Sequence, residues 1–124
     1  MGSFYPAQEG GPDNSVYWLV KKLTKDKKDV TVITFKKGLS KIKINDYSIQ
    51  LNHINYIEDI KVIYFNYKIS RLFSLAFYKW ILSNIQNFEI ININSFFFIN
   101  SIILKLILTI KKKKYFITTR GELE

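Results

Sequence analysis

The chain contains no cysteine, a single histidine and only two prolines among its 124 residues. Without cysteine it can form neither a disulfide scaffold nor a thiolate metal site, and His53 alone cannot complete a zinc site. The first residues also lack a basic patch followed by an apolar core, so the sequence predicts no secretory signal and favours the cytoplasm. Hydrophobic residues, by contrast, make up 48% of the chain, which is enough to bury the core of one domain.

The charge has one dominant sign, with a formal net charge of +9 at pH 7. Because clustered Lys and Arg neutralise phosphates, a nucleic-acid surface is one interpretation. The lysines, however, gather at the edges of apolar segments, around residues 25–28, 36–37 and 111–114, which is more typical of solvated turns. The sequence also carries no zinc-finger, helix-turn-helix or RNP signature. A small basic protein that binds membranes or nucleic acid without enzymatic activity stays open as the alternative to the interpretation below.

Hydrophobic periodicity predicts seven regular elements, and the apolar positions Val16, Leu19, Val20 and Leu23 mark one face of the first helix. In chain order they are a helix around residues 16–23, strands at 29–35 and 61–65, a helix at 72–85, a strand at 88–94, a largely buried helix at 96–110 and a strand at 115–119. The alternating stretch 40–51 predicts a surface excursion or hairpin. Strands alternating with helices indicate parallel βαβ units in a doubly wound α/β domain.

A membrane span competes for residues 90–110, which are mostly apolar. Three asparagines and Lys105 interrupt this stretch, and a lysine well inside a span costs about 2.5 to 3.5 kcal/mol. A buried strand followed by a buried helix accounts for the same apolarity. We therefore expect no continuous helix across residues 90–110.

Three segments, in matching order and spacing, resemble one enzyme family. They are GSFYPAQEGGPDNSVYWLVKKLTKDKKDVTVIT near the start, FEIININSFF in the middle and YFITTRGELE at the end. They are similar to segments of glycosyltransferase family four, the group-one enzymes of GT-B fold. The first resembles the family's FYPP..GG loop and the H.VTVIT strand that follows it, the second its yDiVHiNSlf segment and the third its vvisPRGeLe segment. The resemblance implies a partial Rossmann-like, doubly wound parallel sheet with strand order 3-2-1-4-5.

The same resemblance implies that residues 1–124 are a truncated N-terminal, acceptor-side domain. It would begin at the exit of the family's first strand and end before the donor-binding second domain, so we expect a fragment that is inactive alone. Enzymes of this family transfer a sugar from a nucleotide-sugar donor to a glycan or lipid-linked acceptor in the synthesis of cell-surface polysaccharide and lipopolysaccharide. The donor is a substrate, so the resemblance implies no further cofactor. The missing cysteine and the single histidine predict no metal, and the distribution of the lysines predicts no nucleic-acid partner.

Two pairs of candidate site residues come from the ends of the resemblance. The family's glycine-rich loop carries over to Gly10 and Gly11, whose backbone N–H groups would approach the donor phosphates and the transferred sugar. Arg120 and Gly121 follow the carboxyl end of a predicted strand, where open α/β sheets bind ligands and a guanidinium suits phosphate charge.

The middle segment adds three polar candidates for an acceptor or phosphate site. Asn94 and Ser95 agree with the family pattern, whereas Asn92 stands where many members have histidine. An asparagine can hydrogen-bond a sugar hydroxyl but cannot take its proton at neutral pH, so the sequence assigns no general base.

The lysine runs at residues 25–28 and 111–114 both join a predicted helix to the following strand. They should therefore cluster at the sheet edge opposite the sugar site. Since many relatives elongate lipid-linked glycans, we expect peripheral contact with anionic lipid at the inner face of the cell membrane, at about 1 kcal/mol per lysine near the surface.

Overall fold

The computed structural model describes residues 4–6, 11–37, 39–66, 74–94 and 99–118. These residues contain four α-helices and five β-strands, so the mixed α/β class predicted from the sequence is confirmed. The chain divides into two compact units, Met1–Tyr67 and Lys68–Glu124. The described strands form two separate hydrogen-bonded sheets, one in each unit, where the sequence predicts one.

The first unit contains helix α1 and a three-stranded sheet. Its elements are α1 (Gly11–Lys25), β1 (Thr31–Phe35), α2 (Lys41–Asp46), β2 (Ile54–Ile57) and β3 (Ile60–Phe65). The sheet order is β1-β3-β2, with β1 parallel to β3 and β2 antiparallel to it. The parallel pairing of the two predicted strands is confirmed, and Phe35 lies opposite Phe65 at their carboxyl ends.

A hydrophobic core joins α1 to this sheet. Its members are Phe4 together with Val16, Tyr17 and Val20 of α1, Val32 of β1, Ile49, Ile57 of β2, and Ile60, Val62 and Tyr64 of β3. Val16 and Val20 confirm part of the predicted helix face. Leu19, predicted on that face, is 45% exposed, because Tyr17 completes the buried side of the helix instead.

Of the two alternatives predicted for residues 40–51, the hairpin is wrong, and the segment is a surface excursion that contains a short helix with no buried residue. Ser40 caps a short helix there, since its Oγ accepts a hydrogen bond from the backbone N–H of Lys43 at 3.2 Å. The hairpin lies further along the chain, where β2 pairs with β3 through the two-residue turn Glu58 and Asp59. Strand β3 is buried from Val62 onward, whereas in β1 Val32, Thr34 and Phe35 are buried and the other two residues are half-buried.

The second unit is a βαβ arrangement preceded by a helix. It consists of α3 (Leu75–Asn84), a single 3-10 turn (Ile85–Asn87), β4 (Ile91–Asn94), α4 (Ile99–Ile110) and β5 (Tyr115–Thr118). Strands β4 and β5 pair in parallel, so the predicted crossover through α4 is confirmed. Ser74 caps α3 by accepting a hydrogen bond from the N–H of Phe77 at 3.2 Å.

Helix α4 is much less buried than the sequence predicts. Leu108 is fully buried, but Ile102, Leu106 and Ile110 on the same helix are each more than half exposed. Residues 91–94 form a strand and residues 99–110 form a helix, as expected. Within the described ranges, no helix is long and apolar enough to cross a membrane.

Helices α1, α2 and α4 end in the same way. After the last helical turn a residue takes a positive φ, namely Lys27, Ser48 or Lys112. The next backbone N–H then reaches back five residues, as from Lys28 to the carbonyl of Leu23 at 3.0 Å. The lysine runs at residues 25–28 and 111–114 therefore lie in turns at the C-termini of α1 and α4, where positive charge also complements the helix dipole.

Candidate functional site

The structure describes three of the seven candidate site residues. Gly11 is the first residue of α1, in the first unit, and Asn92 and Asn94 lie on β4, in the second. The remaining four fall outside the described residues: Gly10, Ser95, Arg120 and Gly121. The resemblance also predicts that Gly10 and Arg120 converge on one rim of the nucleotide-sugar cleft, and this expectation likewise lies outside the described residues.

The two asparagines share one face of β4. They alternate with Ile93, which is buried on the opposite face, and both are half-buried. The Oδ1 of Asn92 accepts a hydrogen bond at 3.0 Å from the hydroxyl of Thr118, which lies opposite Asn94 on β5. A polar face therefore occupies the carboxyl end of a parallel strand pair, the edge at which open α/β sheets bind ligands.

The side chains of this polar face can form hydrogen bonds with a ligand, but none of them gains or loses a proton near neutral pH. Because Thr118 occupies the Oδ1 of Asn92, the amide Nδ2 of the same side chain is the group that can donate to a sugar hydroxyl or a phosphate oxygen. Neither asparagine can act as a general base near neutral pH. In the part of the chain that the structure describes, no group of three or more His, Cys, Asp or Glu side chains could hold a metal ion.

Gly11 stands at the amino end of a 15-residue helix. The first N–H groups of a helix have no partner within it, and the helix dipole makes that end attractive to anions. The helix start is therefore compatible with the phosphate-binding role that the resemblance gives to Gly10 and Gly11.

A second cluster of polar groups was not predicted from the sequence. The phenol of Tyr17 donates a hydrogen bond to the carboxylate of Glu58, and Lys21 Nζ donates to the Tyr17 oxygen at 3.1 Å. Lys21 Nζ also lies 3.4 Å from Glu58 Oε2. The Tyr17 hydrogen bond, followed by the charge of Lys21, holds the pKa of Glu58 below its ordinary value. The same phenol and the charge of Glu58 raise the pKa of Lys21.

Aromatic rings surround this cluster of Tyr17, Lys21 and Glu58. The ring of Tyr5 stacks on Tyr17 with 4.6 Å between centroids, and the Tyr5 hydroxyl lies 3.1 Å from that of Tyr47. This hydrogen bond and burial raise the pKa of Tyr5. Lys21 Nζ lies 5.3 Å from the Tyr17 centroid and 5.4 Å from that of the exposed Trp18, within cation–π range.

The position of the cluster indicates a structural role. Glu58 precedes β3, so it lies at the amino end of that strand, away from the carboxyl edge at which ligands bind in such sheets. It connects α1 to the β2–β3 turn. No local motif could reveal the contact, because Tyr17 and Glu58 are 41 residues apart in sequence. The acidic pair Glu58 and Asp59, which stands between two apolar runs, is a sequence signal that could have placed the turn.

No protein-family model, no curated protein and no solved structure matches the chain. The choice between the two clusters therefore depends on their geometry. The asparagine face lies at a carboxyl sheet edge and offers a hydrogen-bond donor to a ligand, whereas the Tyr17, Lys21 and Glu58 groups bind one another. The asparagine face is the better candidate for a ligand site.

Proposed function

We propose that the chain supplies the acceptor-side half of a sugar-transferring enzyme that resembles glycosyltransferase family four. The sugar would pass from a nucleotide-sugar donor to a glycan or lipid-linked acceptor. The observation that carries the proposal is the strand pairing, because β1 lies parallel beside β3 and β4 lies parallel beside β5. In the Rossmann-like order 3-2-1-4-5, strands 3 and 2 form one parallel pair, strands 4 and 5 form another, and strand 1 lies between them. Strands β3 and β1 would correspond to the first pair, and β4 and β5 to the second.

Each candidate residue has a proposed role. Asn92 and Asn94 would bind acceptor hydroxyls or phosphate oxygens from the carboxyl edge of β4, with Ser95 following them. Gly10 and Gly11 would bring backbone N–H groups to the donor phosphates. The role proposed for Arg120 and Gly121 is to bind developing pyrophosphate charge.

The compartment that we propose is the cytoplasm, at the inner face of the cell membrane. The absence of cysteine supports it, because a small secreted domain is often cross-linked by disulfides. The net charge of +9 would favour an anionic membrane surface.

Ligand binding tests the proposal directly. Saturation-transfer NMR on the full chain with a panel of uridine and guanosine diphosphate sugars, and separately with oligosaccharides, should detect contact with the sugar protons. Replacing Asn92 by Ala should weaken that binding roughly fivefold, the equivalent of about 1 kcal/mol for one lost hydrogen bond. The matched variant Asn87→Ala, at an exposed position of the same unit, should bind like the wild type. Equal binding by both variants, or no saturation transfer to any probe, would contradict the proposed site.

Sugar transfer is measured in parallel with radiolabelled donors. The resembling family binds its donor mainly through a second domain, and the residues proposed above belong to the acceptor side, so we expect these residues to bind ligands without transferring the sugar. Robust transfer would show that the proposed division into acceptor and donor halves is wrong.

A further inference from the structure

An exposed aromatic ring lies on the asparagine face, the face of the β4–β5 pair that carries Asn92 and Asn94. Phe116 of β5 is directly opposite Asn92 of β4, as Thr118 is opposite Asn94. Residues opposite each other in a strand pair point to the same side of the sheet, so Phe116 belongs to this face. Phe116 is 52% exposed, whereas Ile93, which points to the other side, is buried. A large ring therefore stands open to solvent beside Asn92.

Thr118 orients the amide of Asn92. The Thr118 hydroxyl donates to Asn92 Oδ1 at 3.0 Å, which leaves the two N–H donors of Nδ2 to a ligand. No residue of β4 or β5 is charged. The asparagine face thus combines an uncharged hydrogen-bond donor with the ring of Phe116.

We propose that the asparagine face binds an uncharged pyranose ring that stacks on Phe116, while one of its hydroxyl oxygens accepts a hydrogen bond from Asn92 Nδ2. This site rests on the proposed function and narrows it, because it selects sugar hydroxyls over phosphate oxygens and adds Phe116 to the residues that contact the acceptor. The axial C–H bonds of a pyranose make one side of the ring apolar and slightly positive. That side packs on the negative face of an aromatic ring, and the hydroxyls remain at the rim for polar partners.

Charge separates a sugar from a phosphate at this face. Phosphate oxygens are bound most strongly by Arg and Lys side chains, and neither occurs on β4 or β5. Lys114 precedes β5 and so lies at the amino end of the pair, away from Thr118 at the carboxyl end. Phosphate binding is therefore left to Arg120, as proposed above.

Hydrogen bonding disfavours two other occupants. A nucleobase would also stack on Phe116, but asparagine reads a base edge with its amide donor and its carbonyl acceptor together. Thr118 already engages the Oδ1 of Asn92. An apolar protein surface packed on Phe116 would bury the Asn92 amide without a partner, which costs free energy. A pyranose satisfies both the ring and the donor.

NMR titration of the full chain with methyl β-D-glucopyranoside tests the stack. An aromatic ring shifts protons that lie above its face upfield, so the axial protons on one side of the sugar should move upfield, and the side-chain amide signal of Asn92 should move with them. Phe116→Leu keeps an apolar side chain without a π face. It should abolish the upfield shift and weaken binding roughly fivefold. Phe116→Trp should retain both, and inorganic phosphate should not move the Asn92 signal.

Matched variants control for indirect effects. Tyr56→Leu makes the same aromatic-to-leucine change at a 69% exposed position of β2 and should bind like the wild type. Lys114→Gln removes the lysine that directly precedes β5 and should also bind like the wild type. Far-UV circular dichroism establishes that each variant is folded. If Phe116→Leu is not folded, the upfield shift in the wild type and in Phe116→Trp decides the question.

Three outcomes would overturn the proposal. If the Asn92 signal moves without an upfield shift of sugar protons, or if folded Phe116→Leu binds as well as the wild type, the sugar does not stack on Phe116 and the proposed function still stands. If uridine or inorganic phosphate moves the Asn92 signal and the pyranoside does not, the ligand class is wrong. If no probe moves it, the proposed function loses its acceptor site as well.

Discussion

The phenol of Tyr17 donates a hydrogen bond to the carboxylate of Glu58 and so connects the middle of α1 to the turn between β2 and β3. Lys21, one helical turn after Tyr17, contacts both groups. Tyr17 is 8% exposed and the Glu58 side chain is 43% exposed, so this hydrogen bond lies at the edge of the core. Helix α1 is therefore fixed to the sheet by a polar contact at its middle as well as by the hydrophobic core.

Removing the Tyr17 hydroxyl should destabilise the first unit. Tyr17→Phe keeps the buried ring and loses the hydrogen bond to a charged group, so we expect the free energy of unfolding to fall by about 1 to 2 kcal/mol. Urea denaturation followed by circular dichroism measures it. The matched variant Tyr56→Phe, at an exposed tyrosine of β2, should change stability by less than about 0.5 kcal/mol. Equal effects at the two positions would mean that the Tyr17 contact contributes nothing.

Acid should weaken the same contact. The native pKa of Glu58 lies below its ordinary value of 4.5, so its carboxylate stabilises the folded state above pH 4.5 and this contribution is lost as the pH falls through the lowered native pKa. Glu58→Gln should remove that part of the acid dependence. Unfolding free energies measured between neutral pH and pH 3 would test this, with Glu89→Gln as the control at an exposed carboxylate. Parallel pH profiles for the wild type and Glu58→Gln would contradict it.

Replacing the two residues of the β2–β3 turn by glycine, one at a time, should affect stability differently. Glu58 and Asp59 have φ values of 49° and 69°, the left-handed pair of a type I′ turn, in which glycine avoids the Cβ penalty. Asp59→Gly should therefore stabilise the chain by about 0.5 to 1 kcal/mol. Glu58→Gly relieves the same strain but loses the Tyr17 and Lys21 contacts, so it should be neutral or destabilising. Thermal unfolding distinguishes them, and a shift of the same sign in both would refute the role assigned to Glu58.

Asn55 should be the most sensitive polar side chain of β2. It is 8% exposed, its Oδ1 accepts from the N–H of Gln50 at 2.8 Å, and its Nδ2 donates to the carbonyls of Gln50 and His53 at 3.0 and 2.9 Å. Asn55→Ala would leave these backbone groups unpaired, at a cost of about 2 to 4 kcal/mol. Asn45→Ala, at an exposed position of α2, should cost less than about 1 kcal/mol. Chemical denaturation of both variants provides the comparison, and a cost for Asn55→Ala no larger than for Asn45→Ala would refute the role given to this network.

Helix α4 offers the same comparison for apolar side chains. Leu108 is fully buried and Leu106, two residues away, is 59% exposed. Leu108→Ala should destabilise the chain by about 2 to 5 kcal/mol, since it leaves a cavity, whereas Leu106→Ala should change stability by less than about 0.5 kcal/mol. If the two leucines cost the same in urea denaturation, the orientation of the helix described above is wrong.

The predicted elements that are confirmed have strong local signals. The β-branched run at β1, the apolar run at β3 and the strand, helix and strand of the second unit all follow from periodicity and length. Helix α2 and strand β2 were missed because their signals are short. A single serine cap decides α2, and the β2–β3 turn lacks the glycine that usually marks a two-residue hairpin.

Burial was harder to predict than secondary structure. Helix α4 is apolar except for Asn100 and the row of Ser101, Lys105 and Thr109, and that pattern predicts a largely buried helix, although Ile102, Leu106 and Ile110 are exposed. Composition cannot indicate which side of such a helix the rest of the chain covers. The candidate site residues were predicted one by one from the resemblance. The contact between Tyr17 and Glu58 could not be predicted in this way, because the two residues are 41 positions apart and meet only in the folded chain.

The two-residue turn at Glu58 and Asp59 also sets an order of events during folding. Strands β2 and β3 are neighbours in sequence, and a hairpin of this kind closes in about 1 to 10 μs. Strand β1 must wait for a much longer loop to close before it can lie parallel to β3, and such distant pairings are slow. The hairpin is thus the template to which β1 and the N-terminal helix attach, and substitutions that speed its closure should accelerate refolding more than they slow unfolding.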